Sequence, residues 1–226
     1  MVKLLLDHED IDVNSRNSHG KTALMKACSR PDGIEIVKLL LDHKGIDVNI
    51  QDEEGYTALL WACTREDGVE IVKLLLDHKD IDVNKRSNSG FTAFTLVCLD
   101  RNGLEMARVL IAREDIDVNA QDEDGFTALF YACAKGSADI VKLLLAHEDI
   151  DVNTKIPGGE TALMNACSRP DGIEIVKLLM GHKNIDANIP DDEGRVAIHY
   201  VCEENKEEIV NLLSVRADNG SCCCLQ

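Results

Sequence analysis

A segment of about 35 residues recurs along the chain, and this repetition constrains the possible fold more than any other feature of the sequence. Each copy has a glycine, then one variable residue, then a T-A-L-type start, and each full copy ends on I-D-V-N or I-D-A-N. A fixed period of about 20 to 50 residues is typical of arrays in which each unit packs on its neighbours. The glycines that mark successive copies are spaced 35, 35, 35, 34 and 35 residues apart: Gly20, Gly55, Gly90, Gly125, Gly159 and Gly194.

The copy that begins at Gly55 indicates what one unit folds into. Residues 57–63 are short and apolar, enough for two helical turns, and residues 69–76 are apolar around most of a helix, which must therefore be buried against neighbours. A D-x-x-E sequence before the second helix predicts a capping box. The following D-I-D-V-N predicts an extended segment that leads to a tight turn. The capping-box pairs are Asp32 with Glu35, Asp67 with Glu70, and Asp171 with Glu174.

No single copy can cover its own apolar faces, so the copies are expected to stack. The predicted fold class is an all-α repeat solenoid of stacked helix-turn-helix units joined by short β-hairpin-like loops. An elongated single domain fits the even repeat better than two compact domains do.

The recurring segments T-A-L-M-K-A-C and T-A-L-L-W-A-C resemble the T-P-L-H-x-A signature of the ankyrin repeat family, and I-V-K-L-L-L and D-V-N match as well. Alanine replaces the proline in every copy, and the histidine survives only at His199. A tetratricopeptide array fits the length, but its W, L-G, Y and P pattern is missing. The resemblance implies a domain at 1–216, with a partial repeat at 1–17, full repeats at about 18–52, 53–87, 88–122, 123–156 and 157–191, a capping repeat at 192–216 and a flexible Cys-rich tail at 217–226.

The charge balance restricts the class of partner. The formal net charge is −17, which argues against nucleic acid because a phosphate backbone needs clustered Lys and Arg. Two interpretations stay open: a basic partner, or an acidic surface that only keeps the stack soluble.

The sequence contains no recognisable secretory or membrane-spanning segment. The apolar run Leu4-Leu5-Leu6 is too short for a secretory signal, and no stretch approaches the roughly 20 apolar residues of a membrane span. We expect a cytoplasmic monomer.

Cysteines and histidines also recur once per copy. Neighbouring copies stack at roughly 8–10 Å, whereas a disulfide needs Cα atoms within about 7 Å and a metal needs convergent ligands. We therefore expect the cysteines to be buried apolar residues, and we expect no metal and no cofactor. We also expect no enzymatic activity, because catalytic groups must lie within hydrogen-bond reach of one another and the recurring polar residues are a full repeat apart. The two columns are Cys28, Cys63, Cys98, Cys133, Cys167 and Cys202, and His8, His43, His78, His147 and His182.

The Asp and Asn of each I-D-V-N segment are expected to hydrogen-bond loop backbone. The resemblance also implies that such asparagines can be substrates of a cytosolic asparagine hydroxylase.

The residue after each turn glycine varies between copies, and three consecutive copies carry an aromatic ring there although aromatic residues make up only 4% of the chain. The resemblance implies that this position lies on the concave face. The three rings would span roughly 20 Å, the length of about 13 helical residues. In the alternative interpretation, the rings lie flat on the adjacent hairpin and only stiffen the array. The rings are Tyr56, Phe91 and Phe126.

Acidic turn segments, Asp52-Glu53-Glu54, Asp122-Glu123-Asp124 and Asp191-Asp192-Glu193, flank these rings. The sequence therefore predicts a groove with an aromatic floor and acidic edges, which binds a basic and apolar segment of a partner protein. Trp61 and Tyr131 extend the site, unless these rings face the next repeat. An inhibitor of a partner enzyme is the alternative role. The predicted partner-binding residues are Tyr56, Phe91, Phe126, Trp61, Tyr131, Arg65, Glu53, Glu54, Glu123 and Asp124.

The chain ends in C-C-L-Q, which fits a C-a-a-X prenylation box with Cys223 as the acceptor and Gln226 favouring a farnesyl group. Palmitoylation of Cys222 would supply the second anchor that stable membrane residence requires. A cysteine-bearing disordered end is the alternative, since no polybasic stretch precedes the box. This hypothesis describes a lipid-anchored scaffold or effector, and a detergent partition with and without Cys223→Ser distinguishes it from a soluble adaptor.

Overall fold

The computed structural model describes residues 2–6, 8, 10–100 and 102–217 of the 226. Its described residues form twelve α-helices and one 3-10 helix, with no strand beyond an isolated antiparallel bridge between Lys155 and Thr161. The predicted all-α class with hairpin-like loops is confirmed. The chain divides into two compact units, Met1–Asp117 and Val118–Gln226.

Each full copy contributes two helices. The first helices are α2 (Ala23–Cys28), α4 (Ala58–Cys63), α6 (Ala93–Cys98), α8 (Ala128–Lys135) and α10 (Ala162–Cys167). The second helices are α3 (Ile34–Leu41), α5 (Val69–Leu76), α7 (Leu104–Ile111), α9 (Ala138–Leu145) and α11 (Ile173–Gly181). The remaining elements are α1 (Val2–Leu6), the 3-10 helix (Ala197–Tyr200) and α12 (Lys206–Ala217).

Within each unit, like helices of successive copies pack on one another. In the first unit α2 packs on α4 and α4 on α6, while α3 packs on α5 and α5 on α7. In the second unit α8 packs on α10, α9 on α11 and α11 on α12. The buried faces are those that the sequence pattern predicts; in the copy that begins at Gly55, for example, Leu59, Leu60, Val72 and Leu75 are buried.

A threonine caps every first helix of the full copies. The Thr57 hydroxyl accepts a hydrogen bond from the backbone N–H of Leu60 at 3.2 Å, which satisfies one of the four N–H groups that a helix start leaves without an intrahelical partner. The recurring T-A-L start is therefore a helix N-terminus signal. The same cap is formed by Thr22, Thr92, Thr127 and Thr161.

The predicted capping boxes of the second helices are wrong. Gly68 is the N-cap of α5 and no side chain caps this helix. The carboxylate of Asp67 instead binds the guanidinium of Arg65, and Glu70 pairs with Lys73 at 2.8 Å. Asp32 pairs in the same way with Arg30, and Asp171 pairs with Arg169. In each case the aspartate binds the arginine two residues earlier and does not cap the helix.

The turn glycines adopt the left-handed conformation that the tight turn requires. Gly55 has a φ of 78°, and a Cβ on it would lie 2.5 Å from the backbone nitrogen of Asn88 in the next copy. Only glycine fits this combination of φ and close backbone approach. The backbone N–H of Asp52 donates to the carbonyl of Tyr56 at 3.0 Å and closes the hairpin-like loop.

The cysteine column lies in the core, as predicted. Cys28, Cys63, Cys98, Cys133 and Cys167 are buried, and Cys202 is half-buried. Burial raises the pKa of the Cys28 thiol to about 12 and the pKa of the other four buried thiols as well. These thiols remain protonated at neutral pH and contribute packing.

The asparagine column bonds loop backbone, as predicted, and it does so between copies. The side-chain amide of Asn49 donates to the carbonyl of Asp80 at 2.6 Å, and its oxygen accepts from the N–H of Asp82 at 2.9 Å. Each such asparagine therefore joins its own loop to the next one with two hydrogen bonds. The side-chain amides of four other asparagines also donate to a loop carbonyl of the next copy: Asn14, Asn84, Asn119 and Asn153.

Candidate functional site

The first aspartate of the acidic turn in the second copy is part of the fold. Asp52 is 5% exposed. One carboxylate oxygen accepts the N–H groups of Glu54 and Tyr56 at 3.1 and 2.8 Å, and the other accepts the indole N–H of Trp61 at 2.9 Å. The predicted acidic segment Asp52-Glu53-Glu54 thus presents only its two glutamates to solvent.

The same pair of an aspartate and an aromatic donor nine residues later occurs in two further copies. The hydroxyl of Tyr131 donates to Asp122, and that of Tyr200 donates to Asp191 at 2.5 Å. Burial and the bond to Asp191 raise the pKa of Tyr200 to about 12. Burial acts to raise the pKa of Asp191, but hydrogen bonds from Tyr200, Arg195 and two backbone N–H groups hold it far below the usual range of a carboxyl group.

The copies that lack the buried aspartate also lack the aromatic donor nine residues later. Ser87 and Leu96 occupy the two positions in the third copy, and Ile156 and Asn165 occupy them in the fifth. The buried side-chain oxygen of Asn165 has no hydrogen-bond partner. The predicted site residues Trp61 and Tyr131 therefore hold the turn on the first helix, a role that the nine-residue spacing could have revealed.

Removing the Tyr131 hydroxyl alone tests the strength of this pair. Tyr131→Phe is expected to lower the free energy of unfolding by about 1.5 kcal/mol, because the buried side chain of Asp122 loses a hydrogen-bond donor. Chemical denaturation followed by circular dichroism measures the loss. Tyr56→Phe is the matched control, since no hydrogen bond is formed by the Tyr56 hydroxyl in the described structure. Equal stabilities for both variants would show that solvent replaces the lost donor.

Tyr56 and Trp61 form a ring pair on the surface of the first unit. Their centroids are 5.2 Å apart and their planes are inclined at 46°. The ammonium nitrogen of Lys21 lies 3.6 Å from the centroid of the Trp61 ring. Both rings are half-buried. Tyr56 therefore packs on a ring of its own copy.

A pocket of about 460 Å³ opens beside this ring pair. It brings together four of the predicted site residues, Glu53, Glu54, Tyr56 and Trp61, and its lining is completed by the end of α4 and by the next turn. The other lining residues are Thr64, Asn88 and Ser89.

The predicted residues of the second unit form a similar group. The Phe126 ring lies 5.5 Å from that of Tyr131 and 5.0 Å from that of Phe130, measured between centroids. Glu123 and Asp124 are exposed at the turn beside them. Phe91, in the first unit, is half-buried.

Arg65 has a contact within the fold. Its guanidinium donates to the carbonyl of Ser29 in the preceding copy at 3.1 Å and binds Asp67, and its side chain is only 15% exposed. Little of this predicted site residue is therefore accessible to a partner.

The predicted lipidation residues, Cys222 and Cys223, lie outside the described residues. Within the part of the chain that is described, no three His, Cys, Asp or Glu side chains are placed to hold a metal ion. No described helix has the length and apolar character needed to cross a membrane.

Comparison with known proteins gives a consistent result. The family model for ankyrin repeats in three copies matches residues 1–87, 31–122, 80–156 and 147–222. No curated protein sequence matches the chain at a significant level.

Three solved structures are similar over most of the chain. The ankyrin repeat protein EF0377 is 28% identical, with a TM-score of 0.77 over 90% of this chain and 98% of its own. The ankyrin repeat domain of Bcl-3, a unique member of the IkappaB protein family, is 22% identical, with a TM-score of 0.79 over 93% and 90%. An ankyrin repeat domain from Acinetobacter baumannii AYE is 25% identical, with a TM-score of 0.74 over 85% and 96%.

Proposed function

The chain belongs to the ankyrin repeat family, a family of protein-interaction modules, and from this premise we propose that it binds a partner segment carrying basic and apolar side chains. The observation that carries the proposal is the ring pair of Tyr56 and Trp61 beside the exposed carboxylates of Glu53 and Glu54. Half-exposed aromatic rings provide apolar contact area, and aromatic side chains are enriched among the residues that contribute most to binding.

The charge of the chain supports the basic character of the partner. A net charge of −17 attracts positively charged segments and speeds their association at low ionic strength. The exposed turn acids, Glu53 and Glu54 in the first unit and Glu123 and Asp124 in the second, place part of this charge beside the rings.

The recurring polar groups support a binding role over a catalytic one. The Thr57 hydroxyl caps a helix, the Asn49 amide joins two loops, and the Asp52 carboxylate holds its own turn. The buried thiols have raised pKa values, which leaves little thiolate for nucleophilic attack. Each of these groups already serves the fold.

An affinity capture from eukaryotic lysate, read by mass spectrometry, tests the proposal. The variant Tyr56→Ala, Phe91→Ala, Phe126→Ala is expected to retain less than about a tenth of the captured partner, because removal of a central aromatic anchor commonly costs about 2 kcal/mol or more. The single variants Tyr56→Ala and Phe126→Ala show which unit contributes more. A partner captured equally by the wild-type chain and the triple variant would exclude these rings as the binding site.

A control with three substitutions on the second helices accompanies this test. Lys38→Ala, Lys73→Ala and Lys142→Ala remove side chains that are 48%, 49% and 50% exposed and form only surface ion pairs. This variant is expected to capture the partner as the wild type does. Circular dichroism spectra of both triple variants are compared with that of the wild type, to show whether a loss of capture comes from a lost contact or from unfolding.

A monomeric state and a cytoplasmic location remain parts of this proposal. The alternative of a lipid-anchored scaffold rests on the C-C-L-Q sequence and Cys223 alone. In the other alternative, the chain inhibits a partner enzyme, and the same rings and carboxylates would occlude a basic cleft on that enzyme.

A further inference from the structure

The pocket beside Tyr56 and Trp61 has the composition of a cation site. Two aromatic residues, Tyr56 and Trp61, and two acidic residues, Glu53 and Glu54, line a space of about 460 Å³, and no basic residue is among those that line it. Aromatic faces attract cations through the ring quadrupole, and a carboxylate beside the ring adds charge attraction and a hydrogen-bond acceptor.

A cation of the chain itself lies on one of these rings. The Lys21 ammonium is 3.6 Å from the centroid of Trp61, well inside the roughly 6 Å within which cation–π attraction is significant. Lys21 follows the turn glycine of the first copy, as Tyr56 follows that of the second. The Trp61 ring therefore already attracts one positively charged group from outside its own copy.

Trp61 is also held in a fixed orientation. Its indole N–H donates to the buried Asp52 carboxylate at 2.9 Å, and Tyr56 packs against the ring. A ring fixed in this way binds a cation with little loss of side-chain freedom. Glu53 and Glu54 are exposed and form no ion pair within the described structure, so their charge is available to a ligand.

We infer that this pocket takes the positively charged side chain of a partner's lysine or arginine, seated against the Tyr56 and Trp61 rings beside Glu53 and Glu54. The inference rests on the proposed function for assigning the cation to a protein partner, and it adds the chemical group that the site recognises. Lys21 opposes binding, because its charge lies on the same ring.

Trp61 makes the site directly observable, because it is the only tryptophan of the chain. Its fluorescence is titrated with the blocked tripeptides acetyl-Gly-Arg-Gly-amide and acetyl-Gly-Lys-Gly-amide at constant ionic strength. The uncharged citrulline and norleucine tripeptides are the ligand controls. We expect saturable binding of one or both charged peptides, weakened by added salt, and no saturable change with the uncharged ones. The tighter of the two charged peptides identifies the natural side chain.

Two variants are expected to change the affinity in opposite directions, and a third is expected to leave it unchanged. Glu53→Gln with Glu54→Gln is expected to weaken binding at least fivefold, and Lys21→Gln is expected to tighten it about threefold. Glu123→Gln with Asp124→Asn removes the same charge from the second unit and is expected to leave the affinity within twofold of wild type. An equal loss in both double variants would show a long-range charge effect and overturn the assignment of the pocket.

The outcomes separate this inference from the proposed function. Absence of saturable binding by either charged peptide, or equal binding of the citrulline peptide, overturns the cation site even if lysate capture depends on Tyr56. A second result is also possible: the charged peptides bind saturably with the expected variant effects, but the aromatic substitutions do not change lysate capture. That result supports the cation site and contradicts the proposed function.

Discussion

Replacing Gly172 with alanine is expected to lower the free energy of unfolding by about 3 kcal/mol, a loss typical of an atom forced into a packed site. A Cβ at this position would lie 1.9 Å from the carbonyl oxygen of Ala166, in the preceding helix of the same copy. The φ of Gly172 is −79°, which alanine adopts freely. The expected loss is therefore steric, and it arises because the loop between the two helices passes directly against the end of the first.

The other end of the same helix supplies the control. Gly181 is the last residue of α11, and a Cβ on it would meet no atom within 4 Å. Gly181→Ala is expected to leave stability unchanged or raise it by up to about 1 kcal/mol, since alanine is favoured over glycine in helices. Urea denaturation followed by circular dichroism compares the two variants with wild type. A Gly172→Ala variant as stable as Gly181→Ala would show that the loop moves aside at little cost.

Gly172 shows where the sequence pattern stops being informative. The same close approach to a carbonyl of the preceding helix recurs at Gly33, Gly68 and Gly103. The glycines of the hairpin turns could be found from the sequence, because they precede the T-A-L start at a constant spacing. This second column of glycines has no such mark, and the aspartate before each of Gly33, Gly68 and Gly172 was interpreted as a helix cap. The position of the Ala166 carbonyl follows from how the two helices pack, and a one-dimensional pattern does not contain it.

The helices themselves could be predicted well. Apolar runs of fixed length, recurring at a fixed period, determine which faces are buried, and packing between like copies then follows. Cysteine burial was predicted for the same reason, because a residue at one position of every first helix, such as Cys63, shares the environment of its equivalents.

The candidate site was predicted in part. The rings of Tyr56, Phe91 and Phe126 were found because they are outliers at a variable position, and their role in binding stays a prediction. The link between Asp52 and Trp61 was missed because an aspartate beside two glutamates resembles a solvated acidic run. The contact of Arg65 with the preceding copy was missed for a similar reason, since a cation in a variable loop gives no sign that it reaches a carbonyl of that copy.

Substituting Asn153 with alanine is expected to lower the free energy of unfolding by about 2 kcal/mol, because two hydrogen bonds between neighbouring copies are lost together. The Asn153 amide donates to the carbonyl of Asn184 at 2.7 Å, and its oxygen accepts from the N–H of Asp186 at 2.9 Å. In a stack of repeats each copy is stabilised through its contacts with the adjacent copies. The variant should therefore weaken the coupling between the fourth and fifth copies, with an earlier loss of protection from hydrogen exchange at the Asp186 amide than in wild type.

The last asparagine of the column is the matched control. Asn188 is exposed, and its side chain forms no hydrogen bond within the described residues. Asn188→Ala is expected to change stability by less than about 0.5 kcal/mol, as is usual for an exposed residue without contacts. Both variants remove the same side chain from the same place in the repeat, so the difference between them measures the contribution of the two hydrogen bonds between copies. If Asn188→Ala destabilised the chain as much as Asn153→Ala, the effect would belong to the conformation of the I-D-V-N segment within one copy, and the hydrogen bonds would not be what couples neighbouring repeats.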